Sequence, residues 1–350
     1  MAIDVSRDRY GTPQVAEPPA ADGGSMDARS WRAELAPYAV PDSRRALLCL
    51  ATSVLPYLGL TVALYLLLKD SALAILLVIP AAAFLVRSFI VFHDCTHGSF
   101  FASRQLNLWL GRSIGLLLYS PFTRWRHDHA VHHASSGDLD RRGTGDVRML
   151  TVSEYEALSA GQKRMYRFER NPLVMFGLGP LVALMIGPRI VAKNARPRMR
   201  RSVLLTDVAL LLMVGLLVWA LGWRDYLLVF FVPAMLAGSA GIWLFYVQHQ
   251  FEDAYWDGGE DWTFTDAALR GSSFLKLPEV LRFCTGSIGY HHVHHLNALV
   301  PNYNLKRAHD RTPALHDVPT LTLGDGLRAT KLRLYDERRG RLVTFREASG

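Results

Sequence analysis

Thirteen histidines punctuate this 350-residue chain, and most fall in three short clusters. The first is His93-Asp94-Cys95-Thr96-His97. The second closes the run Trp125-Arg126-His127-Asp128-His129-Ala130-Val131-His132-His133, and the third is His291-His292-Val293-His294-His295. A single His249 stands in Val247-Gln248-His249-Gln250. Residues three and four apart share one face of a helix, so HxxxH presents two imidazoles together and HxxHH presents three. His127 and His292 fall off those faces. An isolated histidine such as His309 or His316 is ordinarily a packing or solvent-facing residue, whereas three clusters point to metal binding. Imidazole suits iron, copper, nickel and zinc. A structural zinc takes four ligands and a catalytic zinc three, so eight or nine imidazoles fit two metals with four or five ligands each. Cys49, Cys95 and Cys284 are odd in number and lack CxxC spacing, which excludes a disulfide framework and a thiolate zinc or iron–sulfur site. The lack of matched Cys or Met ligands argues against copper(I). HExxH does not occur, so a zinc-protease apparatus is absent from the sequence. Asp94, Asp128, Glu252 and Asp253 stand near the histidines, either to orient ligand imidazoles or as ordinary polar residues.

Elements that can bring these clusters together are legible in the hydropathy. The chain is 50% hydrophobic and only 20% charged, and the apolar surplus sits in runs longer than a soluble core helix needs. Ala46 to Leu68 and Ser71 towards Phe92 form one hairpin of spans around Lys69-Asp70, with Arg87 near the second span's end, able to snorkel. Val203 to Gly222 and Tyr226 to Val247 form another hairpin around Trp223-Arg224-Asp225. The run from Leu106 to Phe122, broken by Gly111, Arg112 and Gly115, reads as a re-entrant or interfacial helix, and Pro172 to Ile186 as another interfacial segment. The expected fold is therefore an all-α membrane protein with four transmembrane helices in two hairpins, interfacial helices and a polar cap. All histidine clusters lie at or just beyond membrane ends on one side, where they can converge on one site. Basic clusters such as Arg44-Arg45 and the block from Arg189 to Arg201 flank the spans. They account for the net charge of +8 as topology and headgroup signals, with no nucleic acid partner, and place the cap and both termini in the cytoplasm. Residues 1–42, rich in Pro, Gly, Ala and Asp, read as a mobile cytoplasmic tail without a cleaved leader; 43–304 form the membrane domain and 305–350 a polar cytoplasmic tail.

At these residues the chain resembles the integral-membrane fatty acid desaturases, which carry the three boxes HxxxH, HxxHH and HxxHH. The likeness runs from about Ser43 to about Asn304. It extends to Ser88-Phe89-Ile90-Val91-Phe92 before the first box, Gly98-Ser99-Phe100-Phe101 after it, and Gly137-Asp138-Leu139-Asp140 after the second. Gly286-Ser287-Ile288-Gly289-Tyr290 precedes the third box, and Pro301-Asn302-Tyr303-Asn304 follows it. These words are most similar to bacterial delta-12 (omega-6) acyl-lipid desaturases. The resemblance implies a di-iron site in a cytosolic cap, bacterial inner-membrane location, and oxygen-dependent removal of two hydrogens to give a cis double bond. By the same likeness the iron ligands are His93, His97, His129, His132, His133, His291, His294 and His295, with His249 as the extra ligand. Some relatives place an Asn one turn before that last histidine to hold a water on iron; here the position is Phe245.

Front-end desaturases carry Gln at the start of the third box and a fused haem domain with His-Pro-Gly-Gly; this chain has His291 and no such motif. It also lacks a Rossmann glycine run. Electrons therefore come from a separate donor, a ferredoxin or a b-type cytochrome with its reductase, with Arg124, Arg126, Arg141 and Arg142 offering a basic docking face or meeting lipid headgroups. The other implied partners are a fatty acyl lipid, O2 and membrane lipids. Trp243, Phe245 and Tyr246 either line an acyl tunnel or pack. Two rival readings are a hydroxylase of the same superfamily, acting on fatty acids, alkanes or carotenoids, and a metal transporter. The transporter is disfavoured because Asp207 is the only charge well inside a span.

Overall fold

The computed structural model describes residues 26–191 and 195–349; the expected tail up to residue 25, and Lys193 of the basic block, lie outside the described residues. Helix α1 (Ala28–Leu35) starts at Asp27, whose carboxylate accepts the Ser30 N–H at 2.7 Å. The end of the expected mobile tail is thus helical and packed. Trp31 and Leu35, one turn apart, are buried in the cluster that also holds Val293, Leu296 and Leu305. Burying side chains of that size stabilises by about 1.5–3 kcal/mol each, enough to hold a short helix down.

Helix α2 (Ser43–Leu67) is the first span and is capped by Asp42, which accepts from the Arg44 and Arg45 N–H groups. Its buried hydroxyls are satisfied within the helix: Ser53 donates to the Cys49 carbonyl at 2.6 Å and Thr61 to that of Tyr57 at 2.8 Å. A 3₁₀ turn, Ala72–Leu77, runs into α3 (Val78–His97) to make the second span. That helix stops directly after the first histidine box because Gly98 takes the left-handed conformation, φ +73°.

Helix α4 (Arg104–Leu117) fills the expected re-entrant or interfacial run; at 14 residues it is too short to cross a bilayer. Helix α5 (Phe122–Ser135) carries the second box. Strand β1 (Leu150–Thr151) and helices α6 (Val152–Ala157) and α7 (Ala160–Glu169) follow, and the apolar stretch Val174–Arg189 meets α7 at 61°, a bent pair and not a straight crossing. Helix α8 (Pro197–Leu221) is the third span. The short α9 (Trp223–Tyr226) continues through a π turn into α10 (Val232–His249), giving a fourth span, Trp223–His249. All four expected spans are long and apolar enough to cross a membrane, and α8 leaves Leu204, Leu211, Leu212 and Trp219 exposed as a lipid-facing side would. Asp207 within α8 pairs with Arg189 at 3.1 Å, which offsets the cost of a charge in that helix.

The remaining chain builds the cap from α11 (Phe264–Leu269), β2 (Phe274–Leu275), α12 (Glu279–Cys284), α13 (His291–Leu296), α14 (Asn302–Arg311), β3 (Thr320–Leu321), α15 (Leu323–Ala329), β4 (Leu334–Asp336) and β5 (Arg341–Val343). The fold is helical as expected, with short strands fastening the cap: β4 lies parallel to β1 and antiparallel to β5, and β2 parallel to β3. Residues after 304, expected as a polar tail, are part of this cap. Leu334, Leu342 and Val343 are buried, and the Tyr166 hydroxyl donates to the Arg333 carbonyl at 2.7 Å.

Candidate metal centre

Four helix segments deliver nine buried or half-buried histidines to one place. His93 and His97 come from the last two turns of α3, His129, His132 and His133 from α5, His249 from the end of α10, and His291, His294 and His295 from α13. They separate into two groups. In one, His93, His97, His129, His133 and His294 bring their ligand atoms within 4.8 Å of one another; in the other, His132, His249, His291 and His295 do the same. Helix geometry explains the division. In HxxHH the first and last histidines are four residues apart and share a face, while the middle one points to the other side of it. Helix α5 gives its pair, His129 and His133, to the first group and His132 to the second; α13 gives His291 and His295 to the second and His294 to the first. The two boxes are thus crossed, each pair meeting the other helix's single histidine.

The hydrogen bonds around the rings decide which nitrogens face inward. His132 Nδ1 lies 2.5 Å from Asp146 Oδ1, and His249 Nδ1 lies 3.1 Å from the Gly271 carbonyl oxygen. Both acceptors require an N–H at Nδ1, so each Nε2 carries a lone pair. These two Nε2 atoms are 3.2 Å apart, and His249 Nε2 is 2.8 Å from His291 Nε2. Lone pairs at that separation repel unless a cation lies between them. In the other group His93 Nδ1 is 3.1 Å from Asp94 Oδ1, and its Nε2 is 2.9 Å from that of His129. The Nε2 atoms of His97 and His294 are buried and have no hydrogen-bond partner among the described residues. Burial, reinforced by the neighbouring imidazoles, holds His129, His133, His291, His294 and His295 well below the ordinary histidine value. Neutral imidazoles with converging lone pairs are the form that binds a divalent cation, so the residues present fit metal ions.

The carboxylates named from the sequence divide between the two roles left open for them. Asp94 does meet a histidine: its Oδ1 faces His93, and its Oδ2 accepts from the Asn302 backbone N–H at 2.7 Å and side-chain amide at 2.8 Å. Asp128 instead pairs with Arg124 at 2.6 Å, Glu252 pairs with Arg341 at 2.5 Å on the surface, and Asp253 is exposed. The carboxylate missed in the sequence is Asp146. Gly145, at φ +79°, lets its loop pass so close to α5 that a Cβ there would lie 2.6 Å from the Asp128 carbonyl oxygen and 3.0 Å from His132 Cβ. The Gly143-Thr144-Gly145-Asp146 run is the signal that could have located it. Of the three aromatic candidates, Phe245 lies against the centre, with its ring 4.8 Å from that of His132 and 5.4 Å from that of His249. The Tyr246 hydroxyl turns into the cap, accepting from Arg170 at 3.0 Å and donating to the Leu332 carbonyl. Trp243 packs on Gly326 of α15. His292 turns away to His309, 3.0 Å between Nε2 and Nδ1, which joins α13 to α14. Three of the arginines put forward as a donor-docking face, Arg124, Arg141 and Arg142, are in ion pairs with Asp128, Asp138 and Glu154.

Comparison with known proteins bears on this arrangement. Residues 70–321 match the sequence profile described as fatty acid desaturase. A fatty acid desaturase of Bacillus subtilis (strain 168) is 45% identical over 314 residues, covering 89% of either chain. An sn-1 acyl-lipid omega-3 desaturase (ferredoxin) of Synechocystis sp. is 32% identical over 233 residues, 63% of this chain and 62% of its own length. An sn-1 oleoyl-lipid 12-desaturase from the same source is 26% identical over 229 residues, 64% of each. The profile match spans well over half of the chain and encloses all nine converging histidines, and the chain belongs to the fatty acid desaturase family, membrane oxidoreductases that act on fatty acids.

Proposed function

We propose that this protein introduces a cis double bond into a lipid-borne acyl chain, at the delta-12 (omega-6) position, using O2 and electrons from a separate ferredoxin or b-type cytochrome. The observation that supports it most is the crossing of two HxxHH helices, which provides five-histidine and four-histidine groups side by side. A pair of iron ions, when bound, supplies the dioxygen and one-electron chemistry that no side chain here can. His93, His97, His129, His133 and His294 would hold one, and His132, His249, His291 and His295 the other. Overall, the acyl chain gives up two hydrogens, which with two electrons and two protons reduce O2 to two waters. The protein's own part is positional: Asp146, Asp94 and the Gly271 carbonyl fix ring tautomers, and burial excludes water. Phe245 presents an apolar wall to the acyl chain beside His132 and His249. Regiochemistry rests on the words around the boxes, with a 12-desaturase among the relatives. The basic flanks of the spans support a cap and termini in the cytoplasm, and the likeness to a bacterial desaturase supports an inner-membrane location.

Expression in a bacterium that makes only monounsaturated chains, with a suitable reductant, tests this by gas chromatography of total fatty acid methyl esters. An oxygen-dependent diene with its new bond at delta-12 is expected. Hydroxylated acyl chains in its place would contradict desaturation.

A further inference from the structure

A second cavity, about 480 Å³, lies under α12 and α14, outside the histidine groups. That is the size range of a small-molecule site. Its lining is strongly basic: Arg87 from α3, Arg282 from α12, and Lys306, Arg307 and Arg311 from α14, against the single acid Asp310. Asp310 is taken up by Lys306 at 2.5 Å, and Arg282 by Glu279. Among the described residues Arg87 pairs with no carboxylate. It is only 9% exposed, and its partners are neutral: the Phe283 carbonyl, the Cys49 sulfur at 3.8 Å and the Phe283 ring at 3.9 Å. The Nε atoms of both Arg87 and Arg282 are buried without a hydrogen-bond partner among the described residues. Arg87, able by sequence to snorkel towards an interface, is instead buried beside the cavity. A buried guanidinium without a counter-charge is costly, and an anion in the cavity would supply one.

The position says what kind of anion. Arg87 lies in a membrane span, six residues before His93, which is about 9 Å along the helix axis. Around Arg282, helix α12 exposes Val280, Leu281 and Phe283, and the neighbouring start of α2 exposes Leu47 and Leu48. A site for a soluble anion needs no such apolar rim, whereas a lipid headgroup does, because its chains enter the bilayer beside it. The cavity is also tied to the metal centre. Asn302 lines it and donates to Asp94, which in turn faces His93. We propose that this cavity holds the phosphodiester of a membrane phospholipid and so selects acyl chains carried on phospholipids; the assignment rests on the desaturase reading above.

The test uses the purified full-length chain in neutral detergent, titrated with dioctanoylphosphatidylglycerol or uncharged dioctanoylglycerol and followed by native mass spectrometry. The phosphate-bearing lipid is expected to bind on the order of tenfold more tightly, and Arg307→Gln/Arg311→Gln, at exposed positions, to remove that preference. Arg282→Gln should weaken it independently. Equal binding of the two lipids, or a preference that survives in both variants, would overturn the proposal. Displacement of the lipid by an equal concentration of inorganic phosphate would overturn the lipid assignment in favour of free phosphate. No turnover is needed, so a chain that binds phosphatidylglycerol selectively yet forms no double bond contradicts the desaturase reading and not this site.

Discussion

Replacing His132 with alanine is expected to abolish product formation and to empty the four-histidine group while leaving the five-histidine group loaded. His132 is completely buried and, among the described residues, is the one histidine of α5 whose ligand atom joins those of His249, His291 and His295. Its removal leaves three imidazoles at that position and strands Asp146, a carboxylate only 11% exposed at its side chain, without its partner. Affinity there should fall by more than the roughly 10–100-fold that loss of an outer hydrogen-bonding partner costs, since a ligand itself is gone. His127→Ala is the matched control, because His127 is on the same helix but exposed. Iron per chain and the diene peak should both be unchanged in it. A His132→Ala protein that keeps its activity would contradict the two-group assignment.

The second large effect is expected at Asp146, which touches no substrate. It holds the His132 Nδ1 proton, and so keeps the Nε2 lone pair aimed at the centre. Asp146→Asn preserves the shape but removes the charge and lets the amide flip, presenting N–H where an acceptor is required. Metal affinity should drop by roughly 10–100-fold, read as iron lost to a chelator, with product formation falling alongside. Gly145→Ala should reproduce the defect, since a Cβ at φ +79° would press the loop off α5 and carry Asp146 with it. Glu252→Gln, at a surface ion pair, should do neither. If Asp146→Asn retains iron as firmly as the wild type while Glu252→Gln loses it, the orienting role is wrong.

The contrast between these two residues shows what a single sequence can and cannot say about such a site. His132 is legible because helix periodicity alone puts it with its neighbours, and the four spans are legible because twenty apolar residues have few other uses in a protein. Which group each histidine joins depends on the rotation of α5 against α13, a tertiary quantity that spacing along one helix does not contain. Asp146 sits 13 residues beyond the second box in a loop, and only the glycines before it mark a close backbone approach. Asp128, Glu252 and Asp253 are nearer the histidines in sequence and farther in chemistry, because arginines or solvent claim them. Helix α1 was obscured by the Pro- and Gly-rich composition around it, although Trp31 and Leu35 at one-turn spacing were the clue. The segment after residue 304 reads as polar by average, yet Leu334, Leu342 and Val343 in strands of three residues suffice to fasten it to the cap. Averages hide short buried elements.

The central claim is that nine histidines form two adjacent metal positions of unequal ligand number. Elemental analysis of the purified, iron-reconstituted protein, wild type beside His97→Ala and His249→Ala, tests it most directly. Two irons per chain are expected in the wild type and one in each variant, since His97 belongs to one group and His249 to the other. One iron in the wild type, or loss of both from either single substitution, would contradict it.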